Sequence, residues 1–318
     1  MLRLTDSEVE RLLSPADARQ AIAAAFRRDW QATARMPLRT HVELGESATL
    51  LLMPCYDSVL AAAGLKLVTV RSKAAGRGRI QASYLLLDPA SGVLLAHMDA
   101  DYLADTRTAA ASAVATDALA RPEARTLGIF GAGRQARAHF RGLREVRSFQ
   151  RFLVCASTSE SSDRAARRLS ADLGMVIQPA APRELVESSD VVCTCTTSSA
   201  PIFEGTWLRP GAHLNLVGAF RPAARECDDA AIARARVFVD TYEGALAEAG
   251  DLLLPMGRGV IGREHLAGDL HELLSGARPG RRGRDEITLF KSLGCALEDL
   301  AVAALVYSKW SVENERKC

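Results

Sequence analysis

The stretch Arg125-Thr-Leu-Gly-Ile-Phe-Gly-Ala-Gly-Arg-Gln-Ala136 passes from an apolar run through a glycine turn into a helical pattern. We interpret it as a β-strand, a phosphate-binding turn and an α-helix. Gly131 and Gly133 provide the tight turn and let the backbone approach a pyrophosphate, and the small Ala136 lets the helix pack closely on the strand. The N–H groups at the start of the helix are available to an anion. A G-x-G-x-x-A pattern alone is a weak signal, so its context decides.

Short β-rich runs alternate with helix-length segments beyond this turn. After the first strand they lie at 151–155, 175–177, 190–195, 213–218 and 237–240. Strands that alternate with helical segments are typical of a doubly wound parallel sheet. The sequence therefore predicts an α/β domain of this type with a bound dinucleotide.

The composition is that of an ordinary globular protein with room for two domains, since 48% of the 318 residues are hydrophobic and 25% are charged. A formal net charge of +2, from 40 basic and 38 acidic residues, favours neither nucleic acid nor a membrane surface as partner. The sequence shows neither a signal-peptide pattern nor an apolar run of membrane-spanning length. We therefore expect a cytoplasmic protein whose partners are small molecules.

The seven cysteines are scattered and form no C-x-x-C motif, and three of them lie in predicted strands. This pattern favours reduced, buried thiols over a disulfide framework. Cys193 and Cys195 are a conceivable metal pair, but a second ligand pair is missing from the pattern. We expect no metal.

The N-terminal region has a different pattern, which predicts an antiparallel sheet with helices packed against it. A short polar helix is expected at 2–13, and Ser14-Pro15 is a capping pair that opens a longer one. Extended runs follow at 38–44, 49–53, 64–70, 83–87 and 93–98. The connection at 88–92 has hairpin chemistry. An apolar helix at 291–309 should return to this domain, because the parallel sheet is closed by its own helices.

Three charged residues are candidates for a site. Lys66 lies in a strand without other charges, where it is either a solvated gatekeeper on a sheet edge or a desolvated group that serves a site; the sequence leaves both open. Arg39 starts a strand, and a surface arginine is the simpler interpretation. Arg107 opens a helix of small residues, which more often indicates close packing than function. The arginine-rich stretch 276–284 lacks interleaved aromatic residues, which favours a solvated loop over a nucleic-acid site.

Six groups of residues resemble, in the same order, the ornithine cyclodeaminase and mu-crystallin family over essentially the whole chain. They are Gly64-Leu-Lys-Leu-Val-Thr69, Arg107-Thr-Ala-Ala-Ala-Ser112, Gly131-Ala-Gly-Arg-Gln-Ala136, Val217-Gly-Ala-Phe-Arg-Pro222 with Arg225-Glu-Cys-Asp-Asp229, Glu248-Ala-Gly-Asp-Leu252, and Thr288-Leu-Phe-Lys-Ser-Leu-Gly294. The resemblance implies a Rossmann doubly wound parallel sheet at 117–291, inserted into an α+β substrate-binding and dimerisation domain at 1–116 plus 292–318. It also implies a homodimer and NAD or NADP as cofactor. The family includes cyclodeaminases, alanine dehydrogenases and reductases of cyclic ketimines.

The resemblance gives roles to individual residues. By position, Arg39, Lys66 and Arg107 match the family's substrate-carboxylate residues. An arginine fork and a point cation suit the planar carboxylate of an imino or amino acid. The residues that the resemblance assigns to the cofactor are Gly131, Ala132, Gly133, Arg134, Gln135, Thr108 and Val217.

Two departures from the family pattern favour a reductase. Phe220 and Leu51 stand where similar cyclodeaminases carry an aspartate and a glutamate, and apolar side chains cannot act as the base that deaminating cyclisation requires. Reduction of a preformed ring needs hydride, a protonated C=N bond and an apolar wall, which these two residues would line. We expect reduction of Δ1-pyrroline-2-carboxylate or Δ1-piperideine-2-carboxylate to L-proline or L-pipecolate. The alternatives are an ornithine cyclodeaminase or alanine dehydrogenase-like enzyme, and a non-catalytic small-ligand binding protein.

The segment Cys155-Ala-Ser-Thr158, at the end of the second parallel strand, bears on cofactor choice. NAD-preferring sites usually place an acidic residue here, and this segment has none. Ser157 and Thr158 can donate to a 2′-phosphate, and Arg134 can supply a cation. The sequence predicts NADPH, with NADH as the alternative.

Overall fold

The computed structural model describes residues 1–46, 48–71 and 80–315. The chain forms two compact units, a first unit of Met1–Thr108 with Gly294–Cys318 and a second unit of Ala109–Leu293. The roles assigned above to the two domains, and the boundaries 1–116, 117–291 and 292–318, stay predictions.

The strands are, in chain order, β1 (Leu2–Leu4), β2 (Ala34–Arg35), β3 (Thr40–Glu43), β4 (Ala48–Asp57), β5 (Ala62–Arg71), β6 (Ile80–Leu87), β7 (Leu94–Asp99), β8 (Thr126–Phe130), β9 (Arg151–Cys155), β10 (Gln178–Pro179), β11 (Val191–Thr194), β12 (His213–Leu216), β13 (Ala235–Val239), β14 (Leu266–Asp269) and β15 (Ile287–Lys291). The α-helices are α1 (Asp6–Leu12), α2 (Pro15–Arg27), α3 (Trp30–Thr33), α4 (Asp101–Leu119), α5 (Arg134–Leu143), α6 (Ser159–Leu173), α7 (Pro182–Ser188), α8 (Asp229–Arg234), α9 (Tyr242–Glu248), α10 (Gly250–Gly257), α11 (Leu270–Ser275) and α12 (Ala296–Glu315).

The first unit is built on a sheet with the strand order β1-β7-β6-β5-β4-β2, in which β3 also pairs with β4. Its neighbours are antiparallel, except for the parallel pair of β1 and β7. Helix α12 packs on β4 and β5, and α2 packs on α12. Side chains of β5 alternate between buried and half-buried, because successive residues of a strand point to opposite faces. The predicted antiparallel sheet with helices is confirmed.

Three segments of this region differ from their predictions. Leu2–Leu4 is a strand because it pairs with β7, and helix α1 starts only after Thr5, whose hydroxyl accepts a hydrogen bond from the Glu8 N–H. Arg107 lies well inside α4 rather than at its start. The last helix begins at Ala296 and not at 291, because Lys291 is the final residue of β15.

The second unit is a fully parallel sheet with the order β10-β9-β8-β11-β12-β15-β13-β14. One apolar cluster includes Phe140 of α5 and Leu169 of α6, and another includes Leu185 of α7 and Ile232 of α8. Helices therefore cover both faces, and the predicted doubly wound parallel sheet is confirmed.

The prediction missed two strands of this sheet and misplaced one. The segment 175–177 is not a strand, and the pairing with β9 is made by Gln178–Pro179 instead. Strand β14 ends the sheet, and β15 is inserted between β12 and β13. No helix in the described part of the chain has the length and apolar character needed to cross a membrane.

In the arginine-rich stretch 276–284, the half-buried Arg281 anchors the loop to the sheet of the second unit. Arg281 donates to the Leu119 carbonyl at 2.7 Å and to Thr288 Oγ1 at 2.9 Å, whereas Arg282 and Arg284 are exposed. The stretch therefore has a local structural task in joining the loop to the sheet.

Candidate functional site

Lys66 lies on the face of the first unit's sheet that α12 covers. It sits on β5 between β4 and β6, where Met53 and Tyr84 are its cross-strand partners. Its side chain is buried, and Nζ forms an ion pair with Asp299 Oδ2 at 2.6 Å. Of the two interpretations left open by the sequence, the structure selects the desolvated group, because β5 is not an edge strand. Burial and the charge of Arg107 lower the pKa of Lys66 to about 8, although Asp299 acts in the opposite direction.

Arg107 is buried beside the same carboxylates. Its Nη1 donates to Glu298 Oε2 at 2.7 Å, and its Nε lies 2.9 Å from Asp299 Oδ1. Burial alone would lower the pKa of Arg107, but Asp299 and Glu298 outweigh it and hold the pKa above its ordinary value. The guanidinium therefore stays charged at any physiological pH.

Gly294 joins Arg107 to Arg39. A Cβ on Gly294 would lie 1.9 Å from Arg107 Nη1, so the guanidinium packs directly on this backbone. The Gly294 carbonyl accepts a hydrogen bond from Arg39 Nη2 at 3.1 Å. The structure thus brings together all three residues predicted to bind the substrate carboxylate.

The cluster of Arg39, Lys66, Arg107, Glu298 and Asp299 brings three basic side chains together with two carboxylates. Two arginines and a lysine held close together are suited to bind one further carboxylate. Sequence reasoning missed Glu298 and Asp299, although adjacent acidic residues in an otherwise apolar helix were an available signal.

Leu51 shares this face of the sheet. It is buried on β4 opposite Val68, two positions along each strand from the pair of Met53 and Lys66. Residues two apart on a strand point the same way. An apolar side chain therefore stands on the Lys66 side of the sheet.

The glycine turn of the second unit fits a dinucleotide. Gly131 has a φ of +107°, and a Cβ there would lie 2.3 Å from the Cys195 carbonyl oxygen, so the turn requires glycine. Gly133 is exposed, and no described atom lies within 4 Å of a Cβ placed on it. It precedes α5 without a side-chain cap, so the first N–H groups of this helix remain available to a pyrophosphate.

The other residues of the turn lie at the surface or just below it. Ala132 is half-buried and its carbonyl accepts a hydrogen bond from Arg168, and Arg134 is exposed. Gln135 is half-buried, and its carbonyl lies 2.8 Å from His139 Nδ1. This turn therefore presents backbone and an arginine side chain to its surroundings.

Three predicted cofactor hydroxyls have different settings. Ser157 is exposed. Thr158 is the N-cap of α6, where its hydroxyl accepts from the Ser161 N–H at 3.1 Å and donates to Ser161 Oγ at 2.9 Å. The Thr108 hydroxyl donates to the Ala104 carbonyl at 2.8 Å. The structure therefore commits the protons of both threonine hydroxyls to their own helices.

The segment that contains Val217 and Phe220 follows β12 and is held by a buried carboxylate. Glu226 accepts hydrogen bonds from the Gly218 N–H at 2.7 Å and from Thr194 Oγ1 at 2.7 Å, although burial raises its pKa. Phe220 is half-buried against the apolar core of the second unit. Sequence reasoning had not identified Glu226 as a support of this segment.

The described residues contain no group of three or more His, Cys, Asp or Glu side chains that fits a metal ion. Their six cysteines are free, and the seventh, Cys318, lies outside the described residues. Burial raises the pKa of Cys193 to about 12, which keeps this thiol protonated.

The parallel sheet with its glycine turn at the carboxyl end of β8 defines the class as a dinucleotide-binding α/β protein. The chain belongs to the ornithine cyclodeaminase/mu-crystallin family, whose model matches residues 1–314.

Individual relatives cover nearly the whole chain. Ketimine reductase mu-crystallin from Mus musculus is 39% identical over 296 residues, which are 92% of this chain and 90% of that protein. The Thermococcus litoralis Delta(1)-pyrroline-2-carboxylate reductase, solved in complex with NADH and L-proline, has a TM-score of 0.95 at 36% identity and covers 99% of this chain and 98% of its own. An archaeal alanine dehydrogenase dimer with bound NAD has a TM-score of 0.91 at 32% identity, and the match covers 99% of this chain and 97% of that chain.

Proposed function

We propose that this chain is an NAD(P)H-dependent reductase of cyclic ketimines that converts Δ1-pyrroline-2-carboxylate or Δ1-piperideine-2-carboxylate to L-proline or L-pipecolate. The observation that carries the proposal is the cluster of basic side chains in which Arg39 lies beside the buried Lys66 and Arg107. It suits a substrate with one carboxylate beside a reducible C=N bond. The mouse relative is named a ketimine reductase, and the Thermococcus litoralis structure contains NADH and L-proline.

Each of the clustered basic residues has its own role in the proposed reaction. Arg39 and Arg107 bind the ketimine carboxylate, and Lys66 lends its charge to the site and supplies the proton to the imine nitrogen. A bound NAD(P)H supplies the hydride for the imine carbon. The glycine turn of the second unit, with Gly133 open and the α5 N–H groups uncapped, fits the pyrophosphate of such a cofactor.

Apolar side chains at positions 51 and 220 favour this reaction over deamination. Release of ammonia from ornithine needs a base near the distal amine, and neither Leu51 nor Phe220 accepts a proton. Each of these apolar side chains instead suits contact with a hydrocarbon ring. The retained Lys66, Arg107 and glycine turn argue against a binding protein without catalysis.

Absorbance at 340 nm tests the proposal directly. We expect NADPH oxidation with either cyclic ketimine, and none with L-ornithine or without substrate. Arg107→Ala should lower kcat/KM, with a loss of transition-state stabilisation of about 2–4 kcal/mol, the size of a lost charge-assisted bidentate contact. Reduced cofactor should still bind. Failure to oxidise NADH or NADPH with either ketimine, or ammonia release from ornithine at about 1 per second or faster, would overturn the proposal.

We further propose NADPH as the preferred cofactor. The turn after β9 offers the exposed Ser157 and no acidic side chain from 155 to 158, so a 2′-phosphate meets no repulsion there. The exposed Arg134 adds a cation from the glycine turn.

We also propose that two copies of the chain form a homodimer through the first unit. The sheet face opposite α12 carries half-buried apolar side chains, among them Leu52, Leu65, Leu67 and Leu85. The archaeal relative with bound NAD is described as a dimer.

The free thiols of the described cysteines suit the reducing cytoplasm, where we place the protein.

A further inference from the structure

Asp299 is a buried carboxylate of this cluster to which the proposed reaction assigns no role. It lies on α12 with its side chain fully buried, and its carboxylate bridges two cations. One oxygen is 2.6 Å from Lys66 Nζ, and the other is 2.9 Å from Arg107 Nε. A carboxylate in this position costs desolvation, which its contacts with the two cations offset.

The surroundings of Lys66 show what this carboxylate does. The charged groups around Lys66 are Arg107 from α4, Arg39 from the segment before β3, and Asp299 from α12. Tyr84, its cross-strand partner on β6, has a pKa raised far above the ordinary value by burial and by Asp299, so it is neutral. Among the described residues, Asp299 is thus the anion that faces the Lys66 ammonium directly. Two guanidinium ions and a dry environment would otherwise remove its proton.

We propose that Asp299 is a positioning residue for ketimine reduction, which holds Lys66 in its ammonium form and in place as the proton donor to the imine nitrogen. This inference rests on the proposed function, since it assigns the proton that the reduction consumes. An N–H bond of Lys66 breaks and the proton joins the lone pair of the imine nitrogen. A bound NAD(P)H would supply the hydride for the new C–H bond and would be oxidised to NAD(P)⁺, and the C=N π pair would become the amine lone pair. Lys66 then regains a proton from solvent.

The charge balance around Lys66 agrees with this role. Its pKa of about 8 reflects burial and Arg107 on one side and Asp299 on the other. An opposite charge at this distance raises the pKa of an ammonium by roughly 1–3 units. Asp299→Asn should therefore lower the pKa of Lys66 by about that amount, so that half or more of Lys66 is neutral at pH 7.

A nuclear magnetic resonance titration measures this without catalysis. The chain has five lysines, Lys66, Lys73, Lys291, Lys309 and Lys317, so the Cε signals of ¹³C-lysine-labelled protein can be resolved, and Lys66→Met assigns one of them. In the cofactor-free wild type we expect a Lys66 midpoint near pH 8. It should fall by about 1–3 units in Asp299→Asn and stay in place in Glu298→Gln, the matched loss of the neighbouring carboxylate that contacts Arg107.

The pH profile of kcat/KM gives the second readout. In the wild type, activity should fall above the Lys66 pKa, and in Asp299→Asn this basic limb should move down by the same 1–3 units. Asp299→Glu, which keeps the charge, should restore the limb toward the wild type. The pKa of the free imine is a property of the substrate, so a limb set by substrate protonation would not move between variants.

Either readout can overturn the inference. It fails if Asp299→Asn, folded by circular dichroism, keeps the wild-type Lys66 midpoint or the wild-type basic limb. If that variant does not fold, the wild type still decides, because a Lys66 that titrates below about pH 6 is not held as an ammonium. Absence of ketimine reduction in the wild type would instead contradict the proposed function, while the titration continues to test the contact of Asp299 with Lys66.

Discussion

Gly294 shows how one residue without a side chain supports two cations. Its φ of +74° is left-handed, and Gly92 in the loop between β6 and β7 has nearly the same φ of +71°. Their surroundings differ, because a Cβ at Gly294 would meet the Arg107 guanidinium, whereas no described atom lies within 4 Å at Gly92. The two glycines therefore separate backbone strain from contact with the site.

Gly294→Ala should disable the carboxylate site. The new Cβ must push Arg107 away, so we expect kcat/KM for the ketimine to fall. The loss of transition-state stabilisation should be about 2–4 kcal/mol, as for loss of the arginine contact itself. Gly92→Ala should cost only the strain of a left-handed alanine, about 1–2 kcal/mol of unfolding free energy, with normal kinetics. Thermal melts and steady-state kinetics on both variants measure the difference. Equal kinetic losses in the two variants would show that strain, and not the arginine contact, matters.

Gly131 and Gly133 lie two residues apart in the glycine turn, and alanine substitutions at the two positions should have different effects. Gly131→Ala forces a Cβ onto the Cys195 carbonyl at positive φ, so it should destabilise the second unit by several kcal/mol. Gly133→Ala has free space and extended backbone, so the fold should be unaffected while the methyl group obstructs the pyrophosphate. We expect an increase of about tenfold or more in the cofactor Kd, equivalent to roughly 1.4 kcal/mol.

Gly283→Ala is the control for this pair, since Gly283 also has open space and no positive φ. It should change neither the melting temperature nor the cofactor Kd, measured by fluorescence titration with NADPH. A Gly133→Ala variant that binds NADPH as tightly as Gly283→Ala would remove this turn from the cofactor site.

At the scale of elements, the connection from β9 to α6 should decide between the two cofactors. Wild type should use NADPH more efficiently than NADH. Ser157→Asp places a carboxylate at the end of β9, where it repels a 2′-phosphate and accepts hydrogen bonds from ribose hydroxyls. We expect kcat/KM with NADPH to fall about tenfold or more while NADH is used at least as well as before.

Ser148→Asp adds the same charge to an exposed serine that precedes β9 at the opposite end of the strand. It should leave the ratio of NADPH to NADH efficiency unchanged. A wild type that favours NADH tenfold would contradict the assignment, as would a Ser157→Asp variant with an unaltered ratio.

Local patterns predicted the elements that carry local signals. The glycine turn, the capping pair Ser14-Pro15 and the hairpin at 88–92 were readable because each depends on neighbouring residues. Strand β15 was not, because its position between β12 and β13 depends on pairing partners distant in sequence and its last residue is the charged Lys291. Lys291 is compensated by Asp251 at 2.9 Å, a partner that no short-range pattern reveals.

The candidate site shows the same division. The local pattern left the role of Lys66 open, and it favoured a surface position for Arg39 and close helix packing around Arg107. The family resemblance then made all three candidates for binding the substrate carboxylate. The two carboxylates of the cluster, Glu298 and Asp299, were not predicted, because Asp299 approaches Lys66 only when α12 packs across β5. Charge balance in a buried cluster is a tertiary property, so a lone buried cation in a sequence should prompt a search for its counter-ion elsewhere in the chain.

At the scale of the whole molecule, the open face of the first unit's sheet predicts assembly. Leu52 and Leu67 are cross-strand partners on this face, and Leu65 faces Leu85 on the neighbouring strands. These side chains are half-buried in the single chain, and a contiguous apolar surface on a sheet is favourable to bury against a second copy.

Leu67→Arg should therefore convert a dimer to a monomer. In a twofold contact the substitution introduces two unpaired charges into a dry interface, at a cost of about 3 kcal/mol or more, which weakens association by at least roughly 150-fold. Val93→Arg makes the same kind of change at an exposed residue in the loop between β6 and β7 and should leave the dimer intact. Sedimentation equilibrium across a dilution series measures both, with NADPH binding as the check that the second unit is folded. A wild type that sediments with the mass of one chain would refute the dimer, and a dimer that tolerates Leu67→Arg would place its interface on another surface.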